Sequence, residues 1–529
     1  MMTETKFNLL DEPWILVRHG AKVEEVTLKN VFRHAHEYHA LAGELPTQDA
    51  AVLRVLLAVL YRTFTQADPD GEFVEIKDYN DALRRWKVLW SRGGFPAELV
   101  DQYLETYRDR FWLFHPSAPF FQAAGIKTSD GKTQPVTKMI AYVPSREENV
   151  FFTELRGDTA QSLTFAQAAR WLVHLQAWDY AGKKNAVVGG TKDGGGAGWC
   201  GKLGVVYPVG AHLFETLMLN LMFANGSGEL IAFGLPVWET EPKTAAKKDV
   251  TPRSYVELLT WQSRRARLFC EGDRVTGVIS SYGDVFDKEN MFLEQMSGWH
   301  DSSQRGQGYI PNTHSASRSM WRDLGALLPQ ANNEENKIRR PGVLDWLSSE
   351  LKLSDTININ AVGYEYGAMQ GVVTEMISDS IALNAKLLAE LGRDWAENII
   401  GWLNDTEKAV GALGWLASDL DRAAGGAGTS SRERSKELAY FSLDEPFRKW
   451  LAGIAPDSSP VLETGNQWKT SAKHIIAGIG EELIADAGDA AFIGRELKDN
   501  KKTVYMTSAI AEMKFKGALR KIFGGETAK

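Results

Sequence analysis

The chain has 529 residues, 44% of them hydrophobic and 17 of them tryptophan, so it can bury cores in roughly two or three domains. Its formal net charge is -8, whereas a free-standing nucleic-acid-binding protein is usually basic. Any contact with DNA or RNA is therefore expected at a local patch, with a partner neutralising most of the phosphates.

Cysteine usage and the absence of long apolar runs indicate the compartment. Cys200 and Cys270 are too few for a disulfide framework or a cysteine-based metal site, and they fit a reducing environment. Residues Met1–Lys6 are polar, and no run of about 18 apolar residues could span a bilayer. We therefore expect a cytoplasmic protein with no membrane contact.

Short strands and amphipathic helices alternate in the N-terminal part. Residues Phe7–Arg18 and Lys22–Thr27 have strand character and flank a turn at His19-Gly20, which predicts a hairpin. In Gln48–Phe64 apolar side chains recur at helical spacing, which predicts a core helix. Further helices are predicted over Leu28–Ala42, Asp78–Trp90 and Pro96–Arg110.

A glycine-rich stretch, Ala181–Gly204, contains nine glycines and shows neither helical nor strand periodicity, which predicts a surface loop. Because glycine has no Cβ, another molecule can approach such a backbone closely. The stretch also carries positive charge, which favours a polyanion as that molecule. The lysines are Lys183, Lys184, Lys192 and Lys202.

Known glycine-rich motifs do not explain this stretch. A phosphate-binding P-loop needs Gly-Lys followed by Ser or Thr, and that order is absent here. Gly196–Gly201 spells a dinucleotide-binding fingerprint, but the residues before it cannot form the strand that this motif requires. A flexible linker is the common alternative, although the apolar residues that directly follow the glycines indicate that the loop belongs to a domain.

The C-terminal part changes character after a predicted strand, Thr356–Tyr364, and a tight loop, Glu365–Gln370. Long helical periodicities separated by short breaks predict a four-helix bundle. We therefore expect an α+β protein with a large mixed domain at residues 1–365 and a helical bundle at 366–529. The predicted helices are Val372–Leu391, Trp395–Ala424, Arg432–Ile454, Thr464–Ala487 and Val504–Phe523.

No catalytic constellation is visible in the sequence. His34, His36 and His39 are spread around a predicted helix instead of sharing one metal-facing side. The nucleophile motif Gly-x-Ser-x-Gly is absent, and neither cysteine has a histidine in a suggestive setting. We therefore predict a protein that is not an enzyme and that has neither a catalytic site, a metal nor a cofactor.

Several segments, in their order along the chain, resemble the CasA family, the large subunits of type I-E CRISPR surveillance complexes called Cascade. They are FNLLDEPWILV, LAGELPTQDAAVLRVLLAVLYRTF, HPSAPFFQ, a long loop that ends in NVFF, and the helix followed by the glycine-rich stretch. The resemblance implies a mixed domain and a C-terminal four-helix bundle. It also implies three partners: the other Cascade subunits with their CRISPR RNA, double-stranded target DNA, and a helicase-nuclease that the subunit recruits.

The resemblance further implies residues that recognise a short DNA motif beside the target from the minor groove. The glycine loop of the family matches Gly194, Gly195 and Gly196, with Gly189-Gly190 as the alternative register. A wedge that separates base pairs matches Met369, Gln370 and Gly371, with Gln370 as the wedge itself. This chain has Met369 where relatives have asparagine, a departure that bears on which motif is read and how strictly.

Two further contacts are implied by register with the family. A lysine in the minor groove is assigned to Lys288, although Asn290 stands at the matching position. The loop at about residues 127–152 is expected to meet the RNA end and the motif-bearing DNA, with Phe152 and Thr153 at its apolar tip. An aromatic side chain at such a tip can stack on a base.

Two other functions remain open from the residues alone. A nucleotide-binding enzyme would use the glycine-rich stretch to hold ATP or a dinucleotide. A protein-only scaffold subunit would make no DNA contact at this stretch or at Gln370.

Overall fold

The computed structural model describes residues 5–143, 162–191, 195–246, 249–286, 288–303, 306, 308–329, 338–347, 356–389, 392–499 and 502–524. These residues fall into two compact units. The first lies within residues 1–320, 333–353 and 357–380, and the second within 321–332, 354–356 and 381–529. The predicted domain boundary between residues 365 and 366 lies inside a strand of the first unit.

The helices of the first unit surround one that is buried on every side. This helix, Pro46–Gln66, contains the predicted segment Gln48–Phe64 and has leucine, valine and alanine side chains buried around its whole circumference. A helix that is apolar all round belongs in the middle of a core, so this prediction is confirmed. The α-helices described in this unit are α1 (Leu28–Arg33), α2 (Pro46–Gln66), α3 (Tyr79–Arg92), α4 (Ala97–Thr106), α5 (Phe165–Trp178), α6 (Leu213–Asn220), α7 (Tyr255–Leu259) and α8 (Gly342–Trp346).

The strands of the chain up to residue 384 form several small sheets, and the predicted hairpin around His19-Gly20 is present as β2 and β3. The longest antiparallel pair is β10 with β11. The strands are β1 (Lys6–Asn8), β2 (Ile15–His19), β3 (Lys22–Val26), β4 (Ala40–Leu41), β5 (Trp112–Phe114), β6 (Gln134–Pro135), β7 (Leu163–Thr164), β8 (Val205–Val209), β9 (Asp249–Val250), β10 (Arg264–Glu271), β11 (Arg274–Tyr282), β12 (Val285–Phe286), β13 (Trp299–Asp301), β14 (Tyr309–Pro311), β15 (Ile338–Arg339), β16 (Thr356–Tyr366) and β17 (Val373–Asn384).

One three-stranded sheet, in the order β17-β16-β8, positions the candidate site. Strand β8 begins directly after the glycine-rich stretch and runs antiparallel to β16, with Val205 opposite Val362 and Val209 opposite Asn358. The start of β8 therefore lies at the end of the sheet where β16 turns into β17. As a result, the glycine-rich stretch and the β16–β17 turn meet at one end of the sheet.

The helix predicted over Val372–Leu391 is wrong, because most of this segment is strand β17. Val373, Ile377 and Ile381 are buried at intervals of four residues. A spacing of four fits one side of a helix and also one face of a strand, since four is a multiple of two. Pairing with β16 decides between the two, and Gln370 consequently lies in a β-turn instead of at the start of a helix.

The second unit is a four-helix bundle, which confirms the predicted fold class. Its longest described helix, α9, packs against α10, α11 and α13, and the half-buried Trp450 contacts the buried Trp468 with ring planes tilted by 32° and centroids 5.5 Å apart. The predicted helix Val504–Phe523 begins later, because Lys502–Met506 pairs with Arg495–Asp499. The elements are α9 (Arg393–Ala424), α10 (Thr429–Ala452), α11 (Val461–Ala485), α12 (Gly488–Ile493), β18 (Arg495–Asp499), β19 (Lys502–Met506) and α13 (Ser508–Phe523).

Candidate nucleic-acid interface

The turn between β16 and β17, residues 367–372, forms a strained hairpin tip. Its base is closed by the Gly367 amide, which donates to the Val372 carbonyl at 2.9 Å. Met369 and Gln370 both have left-handed backbone conformations, with φ of 53° and 55°. Such conformations cost a non-glycine residue roughly 1–3 kcal/mol and are concentrated at functional sites. The Met369 side chain is 94% exposed, so the tip presents an apolar side chain to solvent.

Gln370 joins the hairpin tip to the glycine-rich stretch through two hydrogen bonds. Its Oε1 accepts from the backbone N–H of Ala197 at 3.1 Å, and its carbonyl accepts from the N–H of Ala181 at 2.7 Å. No described residue accepts a hydrogen bond from its Nε2, which therefore remains available as a donor. Gln370 therefore connects the tip to the stretch at two points, Ala181 and Ala197.

Gly196 has two separate reasons to be glycine. Its φ is +76°, and a Cβ added to it would lie 3.1 Å from Gln370 Oε1 and 3.3 Å from Lys202 Cε. Gly195, beside it, accepts a hydrogen bond from Lys202 Nζ through its carbonyl at 2.6 Å. The structure thus brings Gly195 and Gly196 together with Gln370, as the resemblance implies. Gly194 lies outside the described residues.

Among the described residues of the glycine-rich stretch, the exposed ones lie between residues 183 and 190, so the expectation of a surface loop is wrong for residues 197–201, which are buried. Lys183 and residues 188–190 are exposed, whereas Ala197, Trp199 and Cys200 are buried. A Cβ on Gly198 would lie 2.5 Å from the carbonyl oxygen of Ala177, so this glycine permits close packing against α5. Gly198, Gly201 and Gly204, where an added Cβ would meet neighbouring atoms within 2.5 Å, therefore serve close packing in the core, whereas Gly195 and Gly196 are only partly buried.

A buried ion pair lies directly beneath the two assembled segments. Arg264 Nε donates to the Asp179 carboxylate at 2.5 Å, and its Nη2 donates to the carbonyls of Tyr180 and Gly196, each at 3.0 Å. Lys184 Nζ lies 2.7 Å from the same carboxylate. One guanidinium thereby fixes the distance between the start of the glycine-rich stretch and Gly196.

Burial and neighbouring charges shift the pKa values of Asp179, Lys184 and Lys202. Burial opposes ionisation of Asp179, but Lys184 and Arg264 outweigh it and hold the pKa of the carboxyl below its usual value. Burial lowers the pKa of Lys184 to about 8 despite its pairing with Asp179. Burial and the nearby Arg264 lower the pKa of Lys202 to about 8 as well. Arg264 and Lys184 pair with the single carboxylate of Asp179, and Lys202 adds a third cationic side chain nearby, which gives a local positive patch in an acidic chain.

The end of the glycine-rich stretch is anchored to the central helix. Trp199 Nε1 donates to the Glu294 carboxylate at 2.7 Å, and Arg54 of α2 makes a two-pronged pair with that carboxylate at 2.9 and 3.0 Å. Sequence reasoning assigned no role to Arg54, Asp179, Arg264 or Glu294. The sequence signal for these buried ion pairs is an arginine within an apolar helix or strand pattern. The carboxylate partners, which lie far away in the chain, leave no signal in the sequence.

The structure gives fewer contacts for the other predicted site residues. Lys288 begins a short 3-10 helix, Lys288–Leu293, three residues after Val285, whose side chain lies next to Gly195. Asn290 donates to the Pro252 carbonyl at 2.8 Å. Phe152 and Thr153 lie outside the described residues.

The described side chains include no group of three or more histidine, cysteine, aspartate or glutamate residues that could hold a metal ion. Among the helices that the structure describes, none combines the length and the apolar character needed to cross a bilayer.

The geometry can be compared with known proteins. A curated relative from Thermus thermophilus, CRISPR-associated protein CasA/Cse1, is 28% identical over 489 residues, covering 86% of this chain and 88% of the relative. The crystal structure of Thermobifida fusca Cse1 matches with a TM-score of 0.84 and 33% identity over 99% of both chains. A chain of a structure described as a CRISPR RNA-guided surveillance complex shares the fold, with a TM-score of 0.66 and 20% identity over 92% of this chain and 100% of that one.

The family model described as CRISPR-associated protein Cse1 matches residues 8–479, nearly the whole chain. Together with the Thermobifida fusca structure, this match confirms the resemblance drawn from the sequence. The chain belongs to the CRISPR-associated Cse1 (CasA) family.

Proposed function

We propose that the chain is the large subunit of a type I-E RNA-guided surveillance complex, in which it checks a short motif beside the target in double-stranded DNA. Family membership and the fold shared with a chain of a surveillance complex support this role. In such a complex guide RNA pairing reads the target sequence, and partner subunits neutralise most phosphates. A net charge of -8 is compatible with that division of labour. We propose no catalytic role for the subunit.

The observation that carries the proposal is the hydrogen bond from Ala197 N–H to Gln370 Oε1, which holds Gly196 against the hairpin tip above a positive cluster. The minor groove is only about 6 Å wide, so a backbone without side chains enters it more easily than a side-chain-bearing one. Its donor and acceptor pattern is degenerate, which suits the recognition of several related motifs. Gly195 and Gly196 would face the groove, with Gly194 and Lys288 as neighbouring contacts.

The hairpin tip would begin strand separation. Apolar side chains that enter the minor groove unstack base steps and kink the duplex, and methionine is one of the residues that do so. Met369, which is almost fully exposed, would enter the step, and the free Nε2 of Gln370 would donate to base acceptors of the opened pair. Base edges in the minor groove expose acceptors in every base pair, so this donor would act on any sequence.

Further partners follow from the family resemblance. We propose that Phe152 and Thr153 approach the RNA end and the motif-bearing DNA, and that the subunit offers a surface to a helicase-nuclease that degrades the target. These two roles rest on the resemblance alone.

The decisive experiment assembles the chain with its cognate subunits and guide RNA and measures binding to duplexes that differ only in the motif, at one salt concentration. Gly196→Ala should abolish the preference between motifs, because the new Cβ would meet Gln370 Oε1. Gly20→Ala is the matched control, since Gly20 also has a positive φ but no atom within 4 Å of an added Cβ.

If the unaltered complex binds all motifs equally, the subunit is a scaffold and the proposed function is wrong. If Gly20→Ala removes the preference between motifs as completely as Gly196→Ala does, backbone strain explains the loss of preference. A contact of Gly196 with the minor groove would then have no support. Thermal stabilisation of the isolated chain by ATP or a dinucleotide would instead favour a nucleotide-binding enzyme.

A further inference from the structure

An open cleft of about 920 Å³ adjoins the hairpin tip, and we name it the tip cleft. Gly371 and Val372 of the tip line it together with residues 128–130 and 182–186. Its volume lies at the upper end of the range of about 300–1,000 Å³ that is typical of small-ligand sites. The tip cleft is therefore large enough for a nucleotide.

The lining of the tip cleft is polar and carries excess positive charge. Lys138, Lys183 and Lys184 line it together with one carboxylate, Asp130, and of these lysines Lys184 is already paired with Asp179 at 2.7 Å. Lys183 is exposed, and no described residue pairs with it. Its charge is therefore available to an anion that enters from solvent.

Amide side chains supply hydrogen-bonding groups beside these charges. Asn185 and Gln134 both line the tip cleft. Asn185 uses its Oδ1 to accept from the Ser280 N–H at 3.1 Å, and no described residue accepts from its Nδ2. A lining that combines cations with free amide groups suits a phosphate attached to a polar base more than it suits an apolar ligand.

The tip cleft is in direct contact with the residue proposed to open the DNA. Ala181 N–H donates to the Gln370 carbonyl at 2.7 Å, and the Gly182 Cα, next along the chain, lies so near the tip that a Cβ there would be 3.1 Å from the Gly371 carbonyl oxygen. A base that is unstacked at the tip would therefore emerge at the rim of the tip cleft.

We propose that the tip cleft receives one nucleotide that the hairpin tip displaces from the DNA, with its phosphate beside Lys183 and its base against Asn185 and Gln134. Enzymes that extrude a base spend a few kcal/mol on unstacking, and a pocket that accepts the base lowers that cost. The inference rests on the proposed function, because it needs the tip to enter the duplex.

The test uses the assembled complex and duplexes with 2-aminopurine at successive positions next to the motif, in either strand. This base becomes fluorescent when it is unstacked, and acrylamide quenches it when it is open to solvent. We expect one position that brightens on binding and is severalfold less quenched than the same base in free single strand.

Ala186→Trp should fill the tip cleft, because Ala186 is an exposed lining residue. The bright position should then be quenched as strongly as in free single strand, while motif preference is retained. Val188→Trp is the matched control, since Val188 is 64% exposed and lies outside the lining. Protection that survives Ala186→Trp, or bright bases that are fully quenched in the unaltered complex, would overturn the proposal.

A second arm tests the phosphate contact. Lys183→Ala should reduce the salt dependence of DNA binding by about one counterion, whereas Lys87→Ala, an exposed lysine of α3, should not. Equal slopes for these two variants would contradict the assignment of Lys183.

If no base brightens and all motifs bind equally, the proposed function itself fails and this inference fails with it. If the complex prefers its motif and one base brightens, but acrylamide quenches that base fully, the proposed function stands and only the proposal for the tip cleft is wrong.

Discussion

The side chain of Gln370 accepts a hydrogen bond from the backbone of Ala197, 173 residues earlier in the chain, at 3.1 Å. This contact ties a β-turn to a glycine-rich stretch that the sequence alone treats as separate features. It also means that Gln370 uses its oxygen inside the protein and leaves only its Nε2 for DNA. For this reason we propose that Met369 enters the base step and that Gln370 contacts the bases only through its Nε2.

Gln370→Ala should slow strand separation while leaving the fold intact. A typical hydrogen bond contributes about 1 kcal/mol, so loss of the Ala197 contact will loosen the tip without unfolding the unit. The measurement is the rate of strand opening by the assembled complex, followed with a fluorescent base next to the motif. Gln102→Ala, at an exposed position on α4, is the control and should open DNA at the normal rate. Normal opening by Gln370→Ala would contradict a role for this side chain.

Met369→Gly should separate the function of the tip from its stability. Glycine adopts the left-handed conformation freely, which relieves about 1 kcal/mol of strain and is offset in part by its larger entropy loss on folding. The midpoint of thermal unfolding is therefore expected to change little. Strand opening should slow, because the apolar side chain that enters the base step is gone.

Met369→Leu is the matched variant for this prediction, since it retains an apolar side chain of similar volume at the same φ. It should open DNA nearly as fast as the unaltered chain. If Met369→Gly opens DNA at the normal rate, Met369 does not act as the wedge and Gln370 alone remains as a candidate.

Helical periodicity and core burial were predictable from the sequence, because they depend on residues close together in the chain. The core helix α2 and the four long helices of the second unit follow from repeating apolar side chains. Strand β17 was mistaken for a helix because its buried residues fall at a spacing common to both structures. Only the pairing partner β16 distinguishes them, and strand pairing is not written in a local pattern.

Family resemblance singled out the glycines and the hairpin residues of the candidate site in the sequence. It did not single out the buried residues that hold these segments in position. Arg264 contacts Asp179 from 85 residues away and Gly196 from 68 residues away. A single sequence gives no signal for such pairs, and two arginines in an apolar strand pattern are equally compatible with an exposed edge. Lys184 is likewise buried by its pairing with Asp179, and Lys202 is half-buried, although both lie in a stretch that the sequence predicts as a surface loop.

Arg264→Lys should destabilise the first unit although it preserves the charge. A lysine has no planar fork, so it cannot donate to Asp179 and to the Tyr180 and Gly196 carbonyls together. Removing one partner of a buried pair costs about 3–5 kcal/mol, and this charge-preserving change should cost somewhat less than that. Urea unfolding measures the loss, and hydrogen exchange at the Ala197 and Gly198 amides reports whether the glycine-rich stretch loosens.

Arg267→Lys provides the comparison, because Arg267 lies on the same strand and donates only to the Ile126 carbonyl at 3.2 Å among the hydrogen bonds described. It should have a smaller effect on unfolding and none on exchange at Ala197. Equal effects of the two substitutions would show that Arg264 has no special role in holding the two segments together.

Stability of the first unit should rise with pH above about 8 because the pKa values of Lys202 and Lys184 are lowered in the folded chain. Burial lowers the pKa of Lys202 from 10.5 to about 8, and Arg264 adds to the decrease. Between these two values the unfolded chain holds a proton that the folded chain has released. The unfolded state therefore binds more protons, and the free energy of unfolding rises with pH by up to about 1.4 kcal/mol per unit for such a lysine.

Lys184, beside Asp179 and Arg264, has a pKa of about 8 and acts in the same direction. Buried tyrosines such as Tyr364, whose pKa burial raises, act in the opposite direction above about pH 10, so the comparison belongs below that value. Urea midpoints measured across this window should rise less steeply for Lys202→Met than for the unaltered chain, and Lys87→Met should keep the full slope. An unchanged slope in Lys202→Met would mean that Lys202 keeps its proton in the folded chain, and the positive patch beneath Gly195 would then persist throughout this pH range.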